Sequence, residues 1–351
     1  MIGINTRYTT QLLTGVQRFA SAVEAELSAT PGVTVCALSL PENGMAARAD
    51  ELISLSRRAS AAGCDATLSM CNWSPILHTS SSVVVIHDVL EQQYPEYYST
   101  QYRLLRRGYL AALRRSRTHV VTVSERSCTA LESWLDRPVD VVPAGVTLPT
   151  DERIAELRWG AAPVANRSPY LLFVGAHDAR KNLTFLEGLV PWLRRNGVTL
   201  VVTMRVGSPI LTGALPDWVS EAADVVEVIC DPDDDALAAL YANASAVVQP
   251  SRAEGFGLPI LEAAAHATPF VSSAVGIAEQ LAVADKQVAT LDIDAWCESL
   301  DWLLAQDRDA LAVAHRQQAS QYSWADTARA LAEICALAAG RYLPTPDAEA
   351  A

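Results

Sequence analysis

Two rhythms of apolar and polar positions run along this chain. Short, valine-rich apolar runs occur at 33–38, 83–86, 120–123 and 139–142, and a second series at 170–174, 200–203, 225–229, 246–249 and 270–272. Stretches with apolar residues at helical spacing lie between them, at 17–29, 102–115, 183–196, 235–242 and 260–266. Continuous apolar runs bounded by turn residues predict strands buried on both faces. Their alternation with helices predicts parallel sheets covered on both sides. The expected fold class is therefore α/β, with each series the size of one doubly wound, Rossmann-like domain and ligands held in a cleft beyond the carboxyl ends of the strands. The break falls at 148–169, where Leu148-Pro149-Thr150-Asp151 and the stretch from Gly160 to Pro169 are linker-like. The last eight residues, from Pro344, are expected to fray.

Length and composition agree with two domains: 351 residues, half of them apolar and 19% charged, exclude a disordered or collagen-like chain. No apolar run reaches the roughly 18 to 20 residues of a spanning helix, and the start, Met1-Ile2-Gly3-Ile4-Asn5-Thr6-Arg7, lacks the basic and apolar segments of a secretory signal. Seven dispersed cysteines without a C-x-x-C pair read as reduced thiols, so the expected location is cytoplasmic. The net charge of −13 lies wholly in residues 151–351, since residues 1–150 are neutral. That balance excludes nucleic-acid binding through a broad basic face. One local exception, residues 103–117, interleaves Arg103, Arg106, Arg107, Arg114, Arg115 and Arg117 with Leu104, Leu105, Tyr109, Leu110 and Leu113. It reads either as a basic amphipathic helix resting on an anionic membrane surface or as an ordinary helix with solvated arginines.

The densest chemistry follows the run at 246–249: Pro250-Ser251-Arg252-Ala253-Glu254-Gly255-Phe256-Gly257-Leu258-Pro259-Ile260-Leu261-Glu262. Pro259 suits the first turn of a helix, and the N–H groups at such an end favour a diphosphate. Gly255 and Gly257 let a ligand approach the backbone. Glu254 before the loop and Glu262 one turn into the helix can each accept paired sugar or ribose hydroxyls. Glu262 could equally complement the helix dipole. His and Asp do not cluster at metal-ligand spacing, and His87-Asp88 alone is a weak signal, so no metal is expected.

This string resembles the E-x7-E region of retaining glycosyltransferases with the GT-B fold, glycosyltransferase family 4. The resemblance extends through Thr14-Gly15-Val16-Gln17-Arg18-Phe19, Val85-Ile86-His87-Asp88, Val121-Thr122-Val123-Ser124-Glu125, Val142-Pro143-Ala144-Gly145-Val146, Phe173-Val174-Gly175 with Arg180-Lys181-Asn182, and Tyr322-Ser323-Trp324. It implies an acceptor-side domain over 1–160, a nucleotide-sugar domain over 161–321, and a helix over 322–343 returning to the first.

By that resemblance, a hexose (mannose-like, from a GDP-sugar) would pass from a nucleotide diphosphate sugar to a glycan or lipid-linked acceptor, as in bacterial surface polysaccharide or glycolipid synthesis. The nucleotide sugar is a co-substrate, and no other cofactor is implied. Glu262 would hold the ribose. Glu254 and the loop of Gly255, Phe256, Gly257 and Leu258 would hold the sugar. Lys181, one of only two lysines, would neutralise the diphosphate with Arg180 beside Gly175. Gly15 would approach the phosphates or the acceptor, and His87 would contact the sugar or assist catalysis. Gln17, Ala144, the pair Ala176-His177 and the run Thr203-Met204-Arg205 depart from the family pattern. They motivate a second reading, a non-catalytic nucleotide-sugar-binding subunit. A third is another GT-B enzyme, such as a nucleotide-sugar epimerase.

Overall fold

The computed structural model describes residues 1–10, 14–39, 50–76, 81–159, 164, 169–175, 178–204 and 215–340. Ala176, His177, Arg205, the linker positions 160–163 and 165–168, and the tail from 341 lie outside the described residues. The chain divides into two compact units, residues 1–145 with 322–351, and residues 146–321.

In the first unit, strands β1 (Ile2–Asn5), β2 (Val35–Leu38), β3 (Ala66–Ser69), β4 (Ser81–Val85), β5 (His119–Thr122) and β6 (Asp140–Val141) form a parallel sheet in the order β2-β1-β3-β4-β5-β6. Ile4 pairs with Ala37 on one side and with Leu68 on the other. Strands β1 and β3 escape the pattern analysis because each is four residues long and interrupted by Gly3 or Thr67, while β1 is wholly buried between neighbours. Helix Gly15–Ala29 packs against the C-terminal helix Trp324–Ala338, which lies on β3 and β4. The latter starts where Ser323 caps it, its Oγ accepting from Asp326 N at 3.0 Å. Its Ala328, Leu331, Ala332 and Cys335 are buried. It is fastened at both ends: Thr327 Oγ1 donates to the Pro143 carbonyl at 2.8 Å, and Ser81 Oγ to the Ala338 carbonyl at 2.8 Å.

In the second unit, β7 (Tyr170–Val174), β8 (Thr199–Met204), β9 (Val226–Cys230), β10 (Ala246–Gln249) and β11 (Phe270–Ser272) form a parallel sheet in the order β11-β10-β7-β8-β9. Leu171, Phe173, Trp192, Leu200, Val248 and Trp296 lie in its core. Helix Asp151–Trp159 lies inside the stretch read as the break, 148–169, and within the 1–160 that the resemblance gives to the first domain, but it packs on this unit. Ile154 clusters with Ala267 and Ala312, Arg153 pairs with Asp235 at 2.7 Å, and the Leu157 carbonyl accepts from Asn243 at 2.8 Å. The expected helix 183–196 is two pieces. A 3-10 helix, Leu183–Leu189, gives way to an α-helix, Val190–Asn196, because Pro191 has no N–H for a continuing helix and suits a first turn.

The strand order reverses between β7 and β10, so the loops leaving these neighbours diverge and open a crevice at their carboxyl ends. Lys181 follows β7, and Glu254 follows β10.

Candidate active site on the second unit

Two loops meet at this switch point. After β7, Asp178 takes the Arg180 N–H on Oδ1 at 2.9 Å and starts the 3-10 turn Ala179–Lys181. The turn ends at Asn182, whose φ of 57° is a left-handed conformation that asparagine tolerates. After β10, residues 250–257 lead into the helix Leu258–Ala265. Three bonds join the loops: Arg252 N to the Arg180 carbonyl at 2.7 Å, Asn182 Nδ2 to the Pro250 carbonyl at 3.1 Å, and Lys181 Nζ to Glu254 Oε1 at 2.6 Å.

Glu254 is buried and concentrates its bonds on one oxygen. Oε1 accepts from Lys181, from Ser251 Oγ at 2.6 Å and from Gln249 Nε2 at 3.1 Å; Oε2 takes none of these. Burial pushes this carboxyl up. The charges of Lys181 and Arg180 and the bonds from Lys181 and Ser251 outweigh it and hold the pKa below the usual range. The Arg180 guanidinium folds back on Asp178, with Nη2 to Oδ2 at 2.6 Å. Gly175 lies against the Lys181 stem, since a Cβ there would sit 3.6 Å from Lys181 Cγ.

The glycine loop is shaped from behind. Gly257 has φ +99° at the helix N-cap, a value that demands glycine. Pro259 carries no N–H, so the donors at this helix end are the amides of the residues up to Leu258. Ile277 N donates to the Phe256 carbonyl at 2.7 Å, and a Cβ on Gly276 would lie 2.3 Å from that oxygen. Further along the helix, Glu262 Oε2 accepts from Tyr241 Oη at 2.7 Å, and His266 stacks on the Tyr241 ring at 5.3 Å.

The structure thus assembles Gly175, Arg180, Lys181, Glu254, Gly255, Phe256, Gly257, Leu258 and Glu262 on one unit, with a cation, a carboxylate and a helix N-terminus at one sheet end. Residues 168–306 match the profile of the family described as glycosyl transferases group 1. This segment belongs to the glycosyl transferases group 1. A D-inositol 3-phosphate glycosyltransferase of Nocardia farcinica is 30% identical over 286 residues, which are 74% of this chain and 60% of the relative. The matches span 27% to 60% of the length of the first curated relatives. Sucrose-phosphate synthase from Thermosynechococcus elongatus superposes with a TM-score of 0.72 at 17% identity, covering 95% of this chain and 97% of the other. Anabaena HepE, solved in complex with UDP and glucose, gives 0.68 at 17% identity, covering 95% and 98%. The fold is GT-B, as the motif order implies.

Gly15 and His87 belong to the first unit of this glycosyltransferase fold. Gly15 opens the helix Gly15–Ala29, and Gln17 closes its capping box: Oε1 accepts from Thr14 N at 3.1 Å and from the Thr14 hydroxyl. The glutamine that departs from the family pattern therefore serves the helix start. His87 follows β4 and is buried against Phe19, ring centroids 4.9 Å apart. Its Nε2 lies 2.9 Å from the Met70 carbonyl, which can only accept, so Nε2 carries the proton and Nδ1 the lone pair. Burial lowers its pKa, and the ring is neutral at pH 7.

Pattern reasoning missed several supporting residues. Asn72, at φ 66°, takes the His87 N–H on Oδ1 at 2.8 Å. Gln249, Ser251, Tyr241 and Gly276 shape the second unit's site; only Gln249, a polar residue ending a buried strand, left a signal in the sequence.

Helix Thr100–Arg115 corrects one part of the basic-stretch reading. Arg106 is buried, paired with Glu91 at 3.0 Å, and lies over the Trp73 ring at 5.1 Å, so it belongs to the core. Leu104, Leu105, Arg107, Arg114 and Arg115 are exposed. Among the described residues, no helix is long and apolar enough to cross a membrane.

Proposed function

We propose that this protein is a retaining, metal-independent glycosyltransferase that moves a hexose from a nucleotide diphosphate sugar to a hydroxyl of an acceptor. The observation that carries this is the Lys181–Glu254 pair, held where the loops after β7 and β10 meet beside the N-terminus of Leu258–Ala265. The relatives named as glycosyltransferases and the UDP and glucose bound to HepE support the reading.

In this reading the bond between the anomeric carbon and a phosphate oxygen breaks. Negative charge grows on the diphosphate, where Lys181 Nζ, Arg180 and the amides at 257–258 stabilise it. Glu254 Oε2 accepts hydroxyls of the sugar, and Glu262 those of the ribose. By the resemblance, His87 of the first unit, with its lone pair on Nδ1, is a further candidate to contact the sugar, and Gly15 to approach the phosphates or the acceptor. The departing phosphate takes the acceptor's proton on the face where attack occurs, so configuration is retained without a carboxylate nucleophile. A GDP-sugar with a mannose-like hexose is the donor read from the motifs; HepE adds UDP-glucose to the candidates. Glycan and lipid-linked acceptors follow from the motifs, and the relatives' name adds a polyol phosphate. The enzyme would work in the cytoplasm, at an inner membrane surface if the exposed face of Thr100–Arg115 binds anionic lipid.

The test is a panel of UDP- and GDP-sugars in a thermal-shift assay, followed by turnover with the donor that raises the melting temperature. Lys181→Ala should cut turnover about 10²- to 10³-fold, the loss expected when one charge-stabilising donor is removed. Glu262→Ala should mainly weaken donor binding. Normal donor affinity and turnover in both variants would overturn the site.

A further inference from the structure

We propose that Cys36 and Cys64 form a reversible disulfide across Gly3, a thiol-redox site on the first unit that lies apart from the donor-binding machinery.

The sheet brings the two thiols together because the residue between them has no side chain. Gly3 of β1 is register-paired with Cys36 of β2. Paired residues on neighbouring parallel strands project to the same face, so Cys36 points to the side on which Gly3 would carry a Cβ. On that side lies Cys64: a Cβ on Gly3 would meet its Sγ at 3.0 Å and its Cβ at 3.4 Å. Cys64 therefore occupies the place of the absent side chain, one strand spacing from Cys36. Strands lie about 4.8 Å apart, and Cys36 packs against the cluster that holds Cys64, so a small approach of the two side chains brings their Cβ atoms to the roughly 3.5 to 4.5 Å that a disulfide requires. The thiols already interact. Burial, then the charge and hydrogen bond of Cys36, push the Cys64 pKa up to about 11.

Access is asymmetric. Cys36 is partly exposed on β2, an edge strand of the first sheet. Cys64 is 7% exposed in a cluster with Leu38, Leu55 and Ala59. With a low-molecular-weight disulfide as oxidant, the Cys36 thiolate attacks one of its sulfurs and releases one thiol. The Cys64 thiolate then attacks the Cys36 sulfur and releases the second. Two protein thiols are oxidised, one external disulfide is reduced, and both leaving sulfurs depart as thiols. Because Cys64 must ionise for the second step, ring closure should accelerate as pH rises from 7 to 9.

The experiment incubates the native full-length chain with oxidised glutathione at pH 8, blocks remaining thiols, digests without reduction and maps the cross-links by mass spectrometry. The expected product is a peptide pair joined through Cys36 and Cys64, lighter by two hydrogens than the dithiol and returned to it by reductant. Cys64→Ser should accumulate the glutathione adduct on Cys36, and Cys36→Ser should yield no cross-link to Cys64. In the unmodified chain, recovery of both residues as blocked thiols, or a stable glutathione adduct on Cys36, would overturn the proposal. The mapping on the unmodified chain decides the question even if a variant folds poorly.

Discussion

Glu254 is a buried carboxylate held ionised by its neighbours, and that sets how the site responds to acid. Its pKa lies below the ordinary value, so the stability it contributes is present above the unfolded carboxyl's range and is lost as pH falls through the depressed folded value. His315 acts at milder pH. It is buried against Phe270, and its Nε2 faces the Gln287 amide nitrogen at 2.8 Å. Gln287 Oε1 is already taken by Val283 N and Ala284 N, so the amide donates and His315 Nε2 accepts. The proton then sits on Nδ1, which has no partner among the described residues. Burial lowers this pKa to about 4. The unfolded imidazole binds a proton near pH 6.5 and the folded one does not, so stability should fall as pH drops from about 6.5 to 4. The loss is about 2 kcal/mol by pH 5. Urea unfolding at pH 7 and pH 5 checks this: His315→Leu should flatten the pH dependence, and an unchanged slope would refute the assignment.

Among the elements, two glycines hold loops against backbone and make sharp predictions. Gly276→Ala would place a Cβ 2.3 Å from the Phe256 carbonyl at a φ of +62°, so the 255–257 loop must move. Donor affinity should fall at least tenfold while the far-UV spectrum stays intact; unchanged affinity would separate this loop from the donor. Gly145→Ala would place a Cβ 2.3 Å from Trp324 N, where the C-terminal helix begins. Overpacking against backbone should cost about 1 to 3 kcal/mol in urea unfolding, with the loss concentrated in the first unit. Sequence rhythm showed the strands of the second unit because each is a largely apolar run, and Tyr170–Val174 and Ala246–Gln249 have the expected bounds. It missed Ile2–Asn5 and Ala66–Ser69, since a four-residue strand with a glycine or threonine inside has too few positions to show a period. It joined the two helices at 183–196 because their apolar spacing continues across the junction marked by Pro191. Gln17 read as a departure from the family pattern; its place in a capping box explains why glutamine suits that position.

For the molecule as a whole, most of the negative charge lies on one unit: residues 146–321 carry −11 of the net −13. A diphosphate approaching the acidic unit would need local cations, and in the proposed function Arg180 and Lys181 would supply them. On the first unit, the exposed leucines and arginines of Thr100–Arg115 should give salt-sensitive sedimentation with phosphatidylglycerol vesicles. Leu104→Ser with Leu105→Ser should reduce it several-fold, and no binding at low salt would end the membrane proposal. Hydrophobic period and turn placement determined by themselves that this chain forms two parallel sheets covered by helices, and motif order carried the resemblance to a glycosyltransferase. Those features are local, and burial on both faces leaves its mark on each strand separately. Only tertiary structure decided that Lys181 bonds Glu254, that Arg106 is core, that helix Asp151–Trp159 joins the second unit, and that Cys64 fills the space above Gly3. Each of those depends on residues distant in the chain being brought together, and no local spacing records which partner a side chain will meet.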